Sequence, residues 1–417
     1  MPWDRREESP GYAPLGLGDG LDGICGNYKI IRKLGWGTES SVWLVERVAA
    51  NHPNMQLGKL LVAKVLNMHA TVLELDEFTC QVPLCNEINR RSTPEEKGYM
   101  HGTAFTVTML DGGTVSTRHG DHIFTIMPPM STTMRSVERS FRTANPDRDV
   151  LLARRVLKQV SSALECMHRL GYVHTDVKAD NFFVPLPDEC ILELRTYLER
   201  FPAATLPPRV FPEHGPDPVT CVRSQPYPPV GSDHELPRIL VNLGDFSSTI
   251  DATMDTTDIL AMPRMLRAPE VILGRRWAQP IDIWALGCWV AELLLRDRLF
   301  FPGKHPDGTA VSYSEHLSQM VEVLGPFSEK TLAKCPRRDD AFDTQGLPKP
   351  IHGTQRFNLP PLRQRLAAAG LTGTTLNEVE ALLCRMLRLD PDERATASEV
   401  LADPFIHRFN LTTNSLL

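Results

Sequence analysis

Val173-His174-Thr175-Asp176-Val177-Lys178-Ala179-Asp180-Asn181 places an acid, a lysine and an amide within one short polar stretch. Upstream, Leu152, Val156, Val160, Ala163, Met167 and Leu170 recur at helical spacing, and Gly171 stands where a helix C-cap belongs. Downstream, Phe182-Phe183-Val184 reads as a short strand. A helix over Asp149 to Leu170, a polar loop and a strand would hold three functional side chains on rigid supports. Phosphoryl transfer needs such a trio: a carboxylate to orient and deprotonate a hydroxyl, a lysine to steady phosphoryl charge, and an amide oxygen to hold a metal ion. The same residues also suit a turn whose Asp and Asn satisfy backbone groups, so the rest of the chain has to decide.

The chain has 417 residues, enough for two lobes with separate cores. A net charge of −6 speaks against a direct nucleic-acid binder and permits basic peptide partners. The nine cysteines are scattered without a C-x-x-C pair, which fits a reducing compartment, cytoplasmic or nuclear. The N-terminus lacks the apolar core of a signal peptide. The most apolar run, Ile281 to Leu295, carries Asp282 and Glu292 and is short for a bilayer, so it reads as a buried helix and no membrane partner is expected.

In chain order, residues 1–25 are rich in Gly, Pro and Asp and read as an extended or partly disordered extension. Tyr28 to Leu34 and Trp43 to Val45 read as strands joined through Gly35-Trp36-Gly37-Thr38-Glu39-Ser40-Ser41-Val42. A glycine turn between strands can lay backbone N–H groups over phosphates, although an ordinary hairpin has the same form. Leu61-Val62-Ala63-Lys64-Val65-Leu66 is a strand with one lysine. Its apolar flanks suggest a partly buried ammonium in need of a partner. Glu87, on a helix starting at Pro83, is the first choice, with Glu74 and Glu77 as rivals. Ile123 to Met127 is a strand ending in Pro128-Pro129-Met130, which marks a boundary near residue 130.

Residues 185–237 are dense in proline and read as a surface insertion, helical only over Ile191 to Phe201. Ile239 to Leu243 is a strand delivering Gly244-Asp245-Phe246-Ser247. Arg267-Ala268-Pro269-Glu270 follows, then Asp282 within its apolar helix, where it needs a partner. Arg394 stands near the end, and a buried Glu270–Arg394 pair would be structural.

With H-x-D-x-K-x-x-N, G-x-G, the strand lysine, D-F-S, A-P-E and the late arginine all in order, residues 26 to about 409 resemble a eukaryotic protein kinase. The approach from Tyr12 to Trp36, Ser40 in the glycine loop, Thr175 before Asp176 and the insertion ahead of Asp245 resemble the SR-protein kinases and their fungal relatives more closely. The resemblance implies an α+β bilobal kinase fold with a small β-rich N-lobe (26–130) and a larger, mainly helical C-lobe (131–417) carrying the 185–237 insertion. It implies ATP and Mg2+.

Asp176 would be the base, Lys178 would meet the transferring phosphate, and Asn181 and Asp245 would hold metal. Lys64 would hold the α/β-phosphates and Glu87 would hold Lys64. Leu34, Gly35, Gly37, Ser40, Val42, Ala63, Met127, Pro128, Met130 and Phe183 would contact the nucleotide. Adenine would use the Pro128 carbonyl and both backbone groups of Met130. Asp282 would accept catalytic-loop N–H groups. The substrate would be serine in a basic, arginine-serine-rich protein, docked on Asp297, Glu315 and Glu322, and the enzyme is expected to be a monomer. Glu315 and Glu322 are two helical turns apart, which supports a shared face. A nucleotide-binding pseudokinase scaffold is the alternative, because Ser40 and Ser247 stand where kinases usually carry glycine.

Overall fold

The computed structural model describes residues 11–53, 55–75, 80–94, 98–141, 144–210, 218–228, 239–257, 259–301, 311–349 and 358–407. They fall into two compact units: the described parts of Met1–Thr93, Val107–Thr133 and Phe183–His234, and those of Pro94–Thr106, Met134–Phe182 and Glu235–Leu417.

The first unit is built on an antiparallel sheet. Its strands are β1 (Gly20–Asp22), β2 (Gly26–Trp36), β3 (Ser40–Ala50), β4 (Leu60–Leu66), β5 (Asp111–Thr117) and β6 (Gly120–Met127), in the order β1-β2-β3-β4-β6-β5. Side chains alternate across a strand. One face thus collects Tyr28, Ile30, Trp43, Leu61, Ala63, Val65, Phe124 and Ile126 into a buried core. Helices α1 (Met68–Leu75) and α2 (Gln81–Arg90) follow β4. A last strand, β7 (Met130–Thr133), pairs with Phe182–Pro185.

Two expectations change here. Residues 11–25 are not a loose extension: Ala13, Leu15 and Leu21 are buried in the sheet core, and β1 pairs with β2 at its edge. Residues 1–10 lie outside the described residues. The proline-rich insertion, assigned by sequence to the larger lobe, groups in its described part with the sheet unit. The cause is apolar. The insertion helix Ile191–Arg200 needs cover for Ile191, Leu194 and Leu198, and it finds Leu60 and Ile31 of the sheet together with Leu186 and Tyr227. Residues 211–217 and 229–237 of the insertion lie outside the described residues.

The second unit is helical. Helix α3 spans Met134–Ser140, and α4 spans Pro146–Arg169, starting before the expected Asp149 because Asn145 caps it and Pro146 opens it. It ends at Gly171, whose φ of 88° suits the left-handed C-cap. Gly102, in the turn packed on α4, is required by closeness: a Cβ there would stand 2.0 Å from the Ser162 carbonyl oxygen. Helix α5 (Pro280–Leu295) is buried on nearly every face, as its unbroken apolar run requires. Helices α6 (Tyr313–Leu324) and α7 (Gly373–Met386) complete the frame. The strand expected over Ile239 to Leu243 shrinks to Asn242–Leu243. Gln159 of α4 takes the backbone instead, donating to the Ile239 carbonyl at 3.1 Å and accepting from Val241 N–H at 2.8 Å. None of the described helices is long and apolar enough to cross a membrane.

Candidate active site

The catalytic loop hangs from Asp282 of α5. Its carboxylate accepts the His174 N–H and the Thr175 N–H, both at 2.9 Å, and meets His168 Nε2 at 3.0 Å. Asp282 is almost fully buried, so these bonds satisfy a charge that burial would otherwise make costly. His174 accepts the Asp176 N–H through Nδ1 (3.2 Å), so its proton sits on Nε2, which donates to the Gly244 carbonyl (3.1 Å). Thr175 has a φ of 68°, unusual for a β-branched residue. Its hydroxyl donates to the Ser248 carbonyl at 2.8 Å and offsets part of that strain.

On this support the predicted trio comes together. Lys178 Nζ and Asn181 Nδ2 both reach Asp176 Oδ2, at 2.6 and 2.9 Å, and Asn181 Nδ2 also donates to the Asp176 carbonyl at 2.8 Å. With its nitrogen so engaged, the Asn181 side chain keeps its oxygen as an acceptor. The Gly244 N–H donates to the Asn181 carbonyl at 3.0 Å, tying this loop to the one that carries Asp245. Asp245 adopts a φ of 63°, and Ser247 Oγ donates to its Oδ1 at 2.9 Å. Asn181 and Asp245 supply oxygen donors, the chemistry a hard divalent cation prefers. The Glu270–Arg394 pair is bidentate at 2.6 and 2.9 Å, wholly buried and remote in role, as expected of a structural pair.

In the sheet unit the cross-strand register tests the nucleotide set. Val42 lies opposite Lys64, and Val62 lies opposite Met127. These four share one face. Ala63 does not: it is the neighbour of Lys64 along β4, so it points the other way, into the core with Trp43 and Ile126. Val62 takes the place assigned to Ala63, and counting by twos from Lys64 would have found it. Gly35 and Gly37 would meet no protein atom if given a Cβ, so no packing demands glycine there and the space they leave is open to a ligand. Gly37 N–H donates to the Ser40 carbonyl (2.8 Å), closing the hairpin, and Leu34 precedes it in β2. Pro128 follows Met127, the last residue of β6, Met130 opens β7, and Phe183 pairs with Thr133.

Glu87 is not where the expectation placed it. Its carboxylate is taken by Arg90 (2.7 Å) and Arg91 (3.1 Å), which hold it below the usual carboxylate range. Glu74 is the buried alternative. It accepts the N–H groups of Gln81 and Val82 at the start of α2, and with Lys64 it acts on the Cys85 thiol, which burial pushes up to about 12. Glu77 lies outside the described residues.

The docking set also changes. Glu315 is buried, and its carboxylate accepts the Ser312 N–H (2.6 Å) in a capping box at the start of α6. A cap so engaged does not present its charge to a substrate. Glu322 accepts the Leu359 N–H (2.9 Å), and Asp297 is exposed beside Arg298.

Sequence reasoning missed two tyrosines. Tyr12 is buried, and its hydroxyl meets the glycine-loop carbonyls of Gly37 and Thr38, the latter at 3.1 Å. Tyr227 donates to the Met130 carbonyl at 2.8 Å. Tyr12 was visible only as the first residue of a subfamily-like approach, and Tyr227 sits among prolines with no periodic signal.

The model of the protein kinase domain family matches residues 233–406, a span that includes Asp245, Glu270, Asp282 and Arg394. The serine/threonine-protein kinase SRPK of Physarum polycephalum is 26% identical over 95% of this chain and 89% of its own. A serine/threonine protein kinase of Aspergillus fumigatus is 26% identical over 95% of this chain and 87% of its own. Over nearly its whole length the chain is thus similar to serine/threonine protein kinases. The kinase AFC2 of Arabidopsis thaliana is 31% identical over 62% of this chain, which spans 53% of that relative's length. ATP and a divalent metal belong to the chemistry of this family, and proteins are its substrates.

Proposed function

We propose that this kinase transfers the γ-phosphoryl group of ATP, with Mg2+, to serines in basic, arginine-serine-rich proteins. The observation that carries the catalytic part is the convergence of Lys178 and Asn181 on Asp176, over a loop held by Asp282. Asp176 accepts the proton of the attacking hydroxyl as the serine oxygen bonds to the γ-phosphorus and the bond from that phosphorus to the β-phosphate oxygen breaks, releasing ADP. Lys178, 2.6 Å from that carboxylate, carries positive charge to the transferring phosphate. Asn181 and Asp245 hold the metal, which neutralises phosphate charge when bound. In the sheet unit, Val42, Val62 and Met127 form the apolar face for the base, and Lys64 on that face holds phosphate oxygens. A pseudokinase scaffold would be favoured by loss of the acid, the lysine or a metal donor, and none is missing.

The substrate part rests on likeness to the SRPK relative and on two carboxylates, Asp297 and Glu322, now without Glu315. Arg365 acts electrostatically with Asp297, so the acidic field is modest. The test is a panel of serine peptides flanked by arginine, by lysine or by glutamate, assayed with wild type and Asp297→Ala/Glu322→Ala. The arginine peptide should be preferred, with its KM raised in the variant. Preference for the glutamate peptide would end the substrate proposal while leaving the kinase assignment in place.

A further inference from the structure

The insertion reaches the two parts of the sheet unit that would grip adenine. At one end its Gln225 N–H donates to the Lys33 carbonyl at 2.8 Å, and Ser224 forms a parallel bridge to Lys33. Arg32, buried in β2, returns guanidinium bonds to the carbonyls of Gln225 (3.3 Å) and Phe201. Lys33 lies just ahead of the glycine loop. Two residues after Gln225, Tyr227 is packed against the Leu60, Leu186 and Leu194 cluster, and its hydroxyl donates to the Met130 carbonyl. Burial pushes the Tyr227 hydroxyl far above its usual range, so it is a donor at any working pH.

The direction of that carbonyl matters. The Leu186 N–H reaches the Pro129 carbonyl at 3.4 Å, while Met130 lies opposite Pro185, which has no N–H to give. The Met130 C=O therefore points away from its strand partner, to the side from which a base would meet it. Adenine offers a donor at N6 and an acceptor at N1, and needs the Pro128 carbonyl and the Met130 N–H. Its C2 carries only a hydrogen towards the third group, the Met130 carbonyl.

We propose that Tyr227 is a specificity-determining residue of the nucleotide site: by occupying the Met130 carbonyl it leaves the hinge two bonds to offer, which matches adenine and disfavours bases that carry a further donor at C2. This rests on the reading of Pro128 to Met130 as the adenine-binding hinge. Tyr227 acts from the insertion, so the insertion is part of the nucleotide site and not an appendage to it. A carbonyl that already holds one hydrogen bond can accept a second, but a C2 amine would have to share the Met130 carbonyl with the tyrosine hydroxyl or displace it.

The probes are ADP and 2-amino-ADP, the diphosphate of 2,6-diaminopurine riboside, titrated with magnesium into the full chain. Wild type should bind 2-amino-ADP no better than ADP. In Tyr227→Phe the ring remains and the donor is gone, so the 2-amino base gains the vacated acceptor and affinity for it should rise about three- to tenfold relative to ADP. A ratio unchanged by the substitution, or a wild type that already prefers 2-amino-ADP, would overturn the proposal. The wild-type comparison stands even if the variant folds poorly. Failure of either nucleotide to bind wild type would instead remove the hinge reading itself, and so is distinguishable.

Discussion

At the scale of single residues, the site depends on which carboxylates are free to work and which are already employed. Glu87 and Glu74 make the contrast. Glu87 is half-exposed and held by its own helix neighbours, whereas Glu74 is buried and caps α2. Glu87→Gln should therefore leave phosphoryl transfer within about twofold of wild type, since exposed pairs of this kind are worth little. Glu74→Gln should lower both the melting temperature and activity. The reverse pattern in a paired assay would restore the original partner choice. Thr175 carries a second prediction. It offers no cation to a phosphorylated activation segment and is bonded to the Ser248 carbonyl, so phosphatase treatment should not reduce activity. A large loss on dephosphorylation would contradict this.

These residues also show what a sequence can and cannot disclose. Asp176, Lys178, Asn181 and Asp245 were legible because chemistry confines them to short motifs at set spacing. Glu315 was misread because an acid three residues after a serine at a helix start is equally a capping box, and only burial separates the two. Ala63 was misread because its motif neighbour drew attention away from the alternation of the strand. Tyr227 was invisible, since its role depends on where a proline-rich segment lands.

At the scale of elements, two are open to direct test. The insertion helix is attached by Leu194, fully buried among Leu60 and Leu186. Leu194→Ala should cost about 2–5 kcal/mol, as for other buried leucines, and should weaken nucleotide binding because the hinge contact of Tyr227 belongs to the same cluster. Denaturant unfolding with and without ADP would measure both, and an unchanged midpoint would show the insertion to be loosely attached.

In α6, His316 is buried against Phe300, and neither ring nitrogen finds a partner among the described residues. Burial first, then Arg264 and Arg267, lower its pKa to about 3. The folded protein holds this ring neutral, whereas the unfolded chain takes a proton below about 6.5. Stability is therefore complete above 6.5 and is lost as pH falls towards 3, by about 1.4 kcal/mol per unit. Between pH 7 and pH 5 the stability of wild type should fall by about 2 kcal/mol relative to His316→Leu. Equal pH dependence in the two proteins would show that the ring is protonated in place.

At the scale of the whole molecule, the sheet unit and the helical unit are each coherent by their own contacts. The proline-rich stretch is one point at which the sequence boundaries and the structural units part company, and the described part of Pro94–Thr106, which groups with the helical unit, is another. If basic substrates dock on Asp297 and Glu322, their attraction is exposed and salt-screened. KM for an arginine-serine peptide should rise with ionic strength while kcat changes little, and a KM indifferent to salt would count against charge-led docking.

The most direct test of the central claim is transfer of labelled γ-phosphate from ATP, with magnesium, to an arginine-serine peptide by wild type and by Asp176→Ala, with ADP binding measured on both. The account predicts phosphoserine formation by wild type, a rate about 10²–10⁴-fold lower in the variant, and ADP affinity preserved. Equal rates in the two proteins, or no transfer by wild type despite nucleotide binding, would contradict it.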